Sequence, residues 1–171
     1  GDLSPHRARP HGRIAHDLPG WRFVVAAQNH DQVGNRAAGD RLTHLVSTGR
    51  LKIGAALLLT APFVPMLFQG EEWGTTAPFQ YFTSHEDPTL AEQVRAGRRR
   101  EFAAFGWKPE DVPDPQAVDT FERSRLRWEE CATPPHAELL EWYRALIQLR
   151  RETPELRDGD YQACRARVDE A

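Results

Sequence analysis

Two short apolar runs, residues 21–27 and 63–68, flank a helix-length apolar segment, and each run ends abruptly in polar residues. The first run is rich in β-formers at its start and lacks clean alternation, which suits a strand buried on both faces. Pro65 interrupts the second run and would demote it to an edge in an antiparallel sheet. Between them, residues 51–60 are long enough for a buried helix and are bracketed by Gly49 and Pro62. The order strand, polar loop, helix, strand, polar loop predicts a βαβ unit and a parallel sheet. Ligands in such folds bind at the C-terminal ends of the strands, where both polar clusters fall.

The rest of the chain is less regular. Residues 1–20, rich in His, Arg and Pro, read as a loop. Residues 75–135 are too long for a plain loop and predict an insertion with its own short helices, one of them over residues 88–105. Apolar residues at helical spacing predict an amphipathic helix over residues 136–153, stopped before Pro154. Residues 159–171 are too short to classify.

Several function classes find no support. The net charge is −3, without the basic excess of a nucleic-acid binder. The most apolar stretch, residues 53–67, contains Pro62 and Pro65 and is shorter than the roughly 18 residues of a membrane span. Cys131 and Cys164 form no CxxC pair, and His6, His11 and His16 recur at a spacing of five around Pro10, so no metal site is expected. Phosphate-binding glycine motifs and the serine-hydrolase elbow are absent, so no cofactor is expected.

Two clusters could carry chemistry. Asn29, His30 and Asp31 close the first run; an imidazole, a carboxylate and an amide can grip sugar hydroxyls and steady an oxocarbenium-like sugar. The plainer reading is an Asx-turn followed by a helix cap. Glu71, Glu72 and Trp73 follow the second run; acids beside an aromatic suit a sugar site, and the plainer reading is an acidic turn with Trp73 packed beneath it.

At these residues the chain resembles the α-amylase family, glycoside hydrolase family 13. Residues 23–31 are similar to its last conserved region. Residues 28–37, 67–73, 78–85, 97–102 and 120–126 resemble, in order, one narrower branch that acts on maltooligosyltrehalose. The resemblance implies an α/β fold, part of a TIM (β/α)₈ barrel. Residues 1–158 would be the C-terminal segment of the catalytic domain, with strands seven and eight, an insertion over 75–135 and the last barrel helix. Residues 159–171 would begin a C-terminal β-domain. A closed barrel takes about 250 residues, and the chain has 171 and does not begin with Met, so a fragment is expected.

The implied activity is hydrolysis, with retention, of the α-1,4 bond of maltooligosyltrehalose to release trehalose, a step of trehalose biosynthesis in the cytoplasm. Asp31 matches the family's transition-state-stabilising aspartate and His30 its sugar-binding histidine. Asn29, Gln32, Arg36, Glu72 and Trp73 would line the sugar cleft. The family's nucleophile and acid/base have no counterpart here, so the isolated chain is expected to be inactive and poorly folded. An α-glucan substrate is the only partner implied, without nucleic acid or membrane. The alternatives are another enzyme of the family, an amylase or a branching enzyme, and a non-catalytic carbohydrate-binding module.

Overall fold

A computed structural model of the chain describes residues 3–5, 7–12, 17–104, 106–165 and 167. Its strands are β1 (Leu3–Ser4), β2 (Arg9–Pro10), β3 (Val24–Ala26) and β4 (Val64–Met66). Its helices are α1 (His30–Gly34), α2 (Leu42–Leu45), α3 (Thr48–Thr60), α4 (Pro88–Ala104), α5 (Val118–Ser124) and α6 (His136–Glu152). Short 3₁₀ turns at Gly20–Arg22, Pro109–Asp111, Trp128–Ala132 and Pro154–Leu156 join them.

The βαβ unit forms as expected. β3 pairs in parallel with β4, with Val24 opposite Val64, Val25 opposite Pro65 and Ala26 opposite Met66. α3 makes the crossover and starts three residues earlier than its apolar run. Ser47 explains the early start: its hydroxyl accepts from the Arg50 N–H and caps the first turn. α3 packs on α6 through a core of Ala55, Leu59, Leu139, Tyr143 and Leu146. Arg150 of α6 donates to the carbonyls of Leu59, Ala61 and Phe63, at 2.6–2.9 Å, where α3 ends and β4 begins. That contact satisfies carbonyls at a helix C-terminus with a cation, the favourable sign for the dipole.

Burial of the sheet departs from expectation. Val24 is 65% exposed, and Val64 and Met66 are also exposed. The two strands form a sheet of their own, so each keeps an unpaired edge, and no described element covers one face. The predicted N-terminal loop also holds a small antiparallel pair, β1 with β2.

Residues 75–135 do carry their own helices, α4 and α5. A second core of Ala37, Phe102 and Val112 ties α4 to the loop after α1. Phe105, the expected end of α4, lies outside the described residues, as do His6 and His16. Among the described residues no cluster could hold a metal ion, and no helix is long and apolar enough to cross a membrane. The described part of 159–171 is a turn, and residues 166 and 168–171 lie outside the description.

Candidate active-site cleft

A capping box sets the geometry at the end of β3. Asn29 is the N-cap of α1, and its side-chain oxygen accepts from the Asp31 N–H at 2.8 Å. Gln32 answers: its side-chain oxygen accepts from the Asn29 N–H at 2.9 Å. The side-chain oxygens of both residues are thus taken by the backbone. His30 and Asp31, between them, are left exposed, with Nε2 and Oδ1 3.3 Å apart. The helix-cap reading and the chemical reading are therefore compatible, because the cap is what presents the pair.

His30 and Asp31 open onto a cleft of about 270 Å³, walled on the other side by Phe79, Gln80, Tyr81 and Phe82. Phe79 packs edge-on against Phe68, with ring centres 5.2 Å apart, and meets Phe82 at 5.9 Å. Gly39 brings this wall close. Its carbonyl accepts from the Phe79 N–H, and a Cβ there would lie 2.7 Å from the Phe79 carbonyl. Arg98 locks the two sides together. It donates to the Gly34 carbonyl (2.8 Å) and the Asn35 side chain (3.1 Å), and its guanidinium lies 4.3 Å over the Tyr81 ring.

The end of β4 is built the other way round. Glu71 is buried, its Oε1 accepts from the Tyr143 hydroxyl at 3.4 Å, and its Oε2 has no partner. Burial pushes this carboxyl up to about 7, against hydrogen bonds from the Phe68 backbone and the Gln28 and Tyr143 side chains. Glu72 is half-buried, with a buried Oε2 that has no partner. Trp73 is 2% exposed and packs on Trp128 with ring centres 4.9 Å apart.

The expectation that Trp73 lines the cleft is corrected: its ring is core, because the turn after β4 folds it inward. Beneath lies Arg41, fully buried, donating to the carbonyls of Ala77 and Gln69 at 2.7 Å. Burial pulls Arg41 down to about 10, against the pull of Glu71 and Glu72.

The structure thus brings together Asn29, His30, Asp31 and Gln32, and leaves Glu72 and Trp73 at the other strand end, outside the residues that wall the cleft. Arg36 is also not among those residues; it pairs with Asp40 at 3.4 Å. Site reasoning missed Phe79, Tyr81, Phe82, Arg98 and Arg41. Three aromatics within residues 79–82 were the available signal for the wall.

The parallel βαβ unit, with a histidine–aspartate pair at one strand end, is similar to part of a solved α-amylase-like structure. A Salmonella typhimurium protein assigned as an α-amylase superposes with a TM-score of 0.81 at 43% identity, over 89% of this chain and 26% of that one. In sequence the chain is similar to the malto-oligosyltrehalose trehalohydrolases. It is 52% identical over 158 residues to that of Rhizobium sp. (strain M-11), covering 91% of this chain and 26% of the relative. It is 54% identical over 155 residues to that of Arthrobacter ramosus, covering 90% and 27%. For Saccharolobus solfataricus the figures are 43% over 152 residues, 89% and 25%. The chain therefore spans about a quarter of the length of these curated relatives. No protein-family model matches it. The resemblance read from the separated motifs holds along nearly the whole chain.

Proposed function

We propose that this chain is the C-terminal part of the catalytic (β/α)₈ barrel of a malto-oligosyltrehalose trehalohydrolase. In this reading β3 and β4 are strands seven and eight, residues 75–135 are the insertion after strand eight, and α6 is the last barrel helix. Residues 1–158 belong to the barrel and 159–171 to the start of a β-domain. The whole enzyme hydrolyses the α-1,4 bond of maltooligosyltrehalose in the cytoplasm, with retention, and releases trehalose.

The observation that carries this reading is the exposed His30–Asp31 pair, 3.3 Å apart, facing an aromatic wall at the C-terminal end of a parallel strand. Asp31 binds sugar hydroxyls and offsets the positive charge that develops on the anomeric carbon and ring oxygen. His30 holds a neighbouring hydroxyl, and Tyr81 and Phe82 offer faces to the apolar side of the ring. Asn29 and Gln32 act through the cap that aims Asp31.

A retaining hydrolysis needs two carboxyl groups about 5 Å apart, one as nucleophile and one as acid/base. Among the described residues Asp31 is the only carboxylate walling the cleft. Glu71 is buried at the other strand end and cannot supply the second. The nucleophile and the acid/base therefore belong to the remainder of the enzyme, and the isolated chain is inactive.

The test is made on the full-length protein. Asp31→Asn lowers kcat for trehalose release on the order of a hundredfold or more, because the lost contact is strongest in the transition state. Its circular dichroism matches wild type. Near-normal turnover in that variant removes Asp31 from the mechanism. Maltose from starch, or new branches, in place of trehalose would mark a plain amylase or a branching enzyme. Hydrolysis by the isolated 171-residue chain would contradict the division of the carboxylates.

A further inference from the structure

The ladder between β3 and β4 ends at Ala26 and Met66, so beyond it the two strand ends are tied by side chains. One tie starts at Gln28, the residue just before the Asn29 cap. Its side-chain oxygen accepts from the Leu42 N–H, the first of α2, at 3.0 Å. That contact leaves its NH₂ for Glu71, whose carboxyl accepts from it. Glu71 Oε1 also accepts from the Tyr143 hydroxyl of α6, at 3.4 Å. Gln28, Glu71 and Tyr143 are all buried, and all three line one small hollow with residues of α2 and α3.

A carboxyl is unfavourable in such a place. Glu71 Oε2 is buried without a partner, and an apolar side chain of similar size would avoid that penalty. An apolar side chain cannot, however, accept from an amide at the end of β3 and a hydroxyl of α6 together. Glu71 joins these elements at one point, and the segment beside that point carries the exposed pair. α1 has five residues, with His30 and Asp31 in its first turn. Its far end is pinned by buried Val33 and by Arg98 on the Gly34 carbonyl. Its near end is held by the capping box, whose first residue follows Gln28 directly. The direction of the Asp31 carboxylate is therefore inherited from the place where Gln28 is fixed.

We propose that Glu71 is a positioning residue for the reaction: through Gln28 it fixes the backbone that enters the Asn29 cap, and so the placement of Asp31 against the sugar. The assignment rests on the functional reading above for the role of Asp31. Glu71 itself touches no substrate.

The experiment is steady-state hydrolysis of maltooligosyltrehalose by the full-length enzyme, at a temperature where circular dichroism shows the variants folded. Glu71→Gln sets an amide NH₂ against the Gln28 NH₂ or withdraws the acceptor from Tyr143. It lowers kcat roughly tenfold, since a remote change that displaces a reacting group by about 1 Å can cost about a hundredfold. KM changes by less than about twofold, because the contact of Asp31 is strongest in the transition state. The double variant Gln28→Glu with Glu71→Gln keeps the Leu42 and Tyr143 bonds and reverses the bond between the two side chains. It recovers kcat to within about threefold of wild type. A purely structural Glu71 lowers the melting temperature and leaves the kcat of the folded enzyme unaltered; that result overturns the proposal. A loss of kcat that the reversed pair does not recover overturns it too. If Glu71→Gln does not fold, Gln28→Met, which keeps the side-chain length and removes its amide, decides: unaltered kcat in it refutes the positioning. Failure of the functional reading looks different, because wild type then releases no trehalose. In that case hydrogen exchange of the Asn29 and Asp31 amides carries the test. It quickens in Glu71→Gln and slows again in the reversed pair, and exchange that stays the same overturns the proposal.

Discussion

Replacing Glu71 by Gln isolates the cost of burying an acid at the end of β4. The carboxyl is 5% exposed and is held by the Phe68 backbone and the Gln28 and Tyr143 side chains, with Glu72 close enough to oppose its ionisation. Burial, the largest cause, raises it from 4.5 to about 7. A folded-state value above the unfolded one means that the folded chain holds the proton more tightly. The contribution is fully present below about 4.5 and is lost as the pH rises through about 7. Across the interval from pH 5 to pH 8 that loss amounts to about 2 to 3 kcal/mol. Arg41, Tyr143 and Glu72 also face this carboxyl, but Arg41 and Tyr143 titrate well above the window.

Glutamine does not titrate. Its amide adds a fixed offset of about 1–3 kcal/mol if the NH₂ finds no acceptor. The informative quantity is therefore the difference in unfolding free energy between wild type and variant as a function of pH. Urea unfolding of both proteins at pH 5, 6, 7 and 8 should show wild type losing ground to Glu71→Gln up to about pH 7, then running parallel. A difference that stays constant from pH 5 to pH 8 would refute the reasoning, whatever its sign.

Other substitutions probe the packing around the two strand ends. Trp73→Ala should cost about 3–5 kcal/mol, as expected for a large core side chain, and leave the maltoheptaose affinity of the protein that remains folded unchanged. Trp128→Ala, at a ring 66% exposed, should cost much less, and thermal unfolding ranks the two. Arg98→Lys keeps the charge but loses the fork that spans Gly34, Asn35 and Tyr81. It should raise KM for the oligosaccharide with kcat nearly unchanged, at a stability cost of roughly 1–2 kcal/mol.

The fold was legible wherever periodicity or punctuation was strong. The two apolar runs, the crossover helix, the 136–152 helix and the 88–104 helix all left clear patterns. The start of α3 was not legible from apolar spacing, because a Ser47 hydroxyl and not an apolar residue defines it. The β1–β2 pair spans two residues on each side, too few for any alternation to register. Exposure of Val24 and Met66 could not be read either. Their composition reports an environment buried on both faces, and the described part of this chain supplies only one.

The site shows why composition alone left the two acidic clusters indistinguishable. Both follow short parallel strands, and both join carboxylates to rings or amides. Their directions are set by neighbours. At the end of β3, Asn29 and Gln32 close a capping box and force His30 and Asp31 outward. At the end of β4, Gly70 and Gly74 adopt φ of +83° and +65°. A Cβ at Gly70 would lie 2.7 Å from Leu126 and Thr75, so the turn closes tightly and drives Glu71 and Trp73 into the core. A four-residue glycine spacing after a strand thus marks the tight turn that buries Glu71 and Trp73. An Asn-x-x-Gln spacing was the signal that the first is presented to solvent. The same reasoning locates the aromatic wall. Gly39 lets the Phe79 backbone approach, so the rings of residues 79–82 reach the cleft across about forty residues of chain, a juxtaposition that no local pattern encodes.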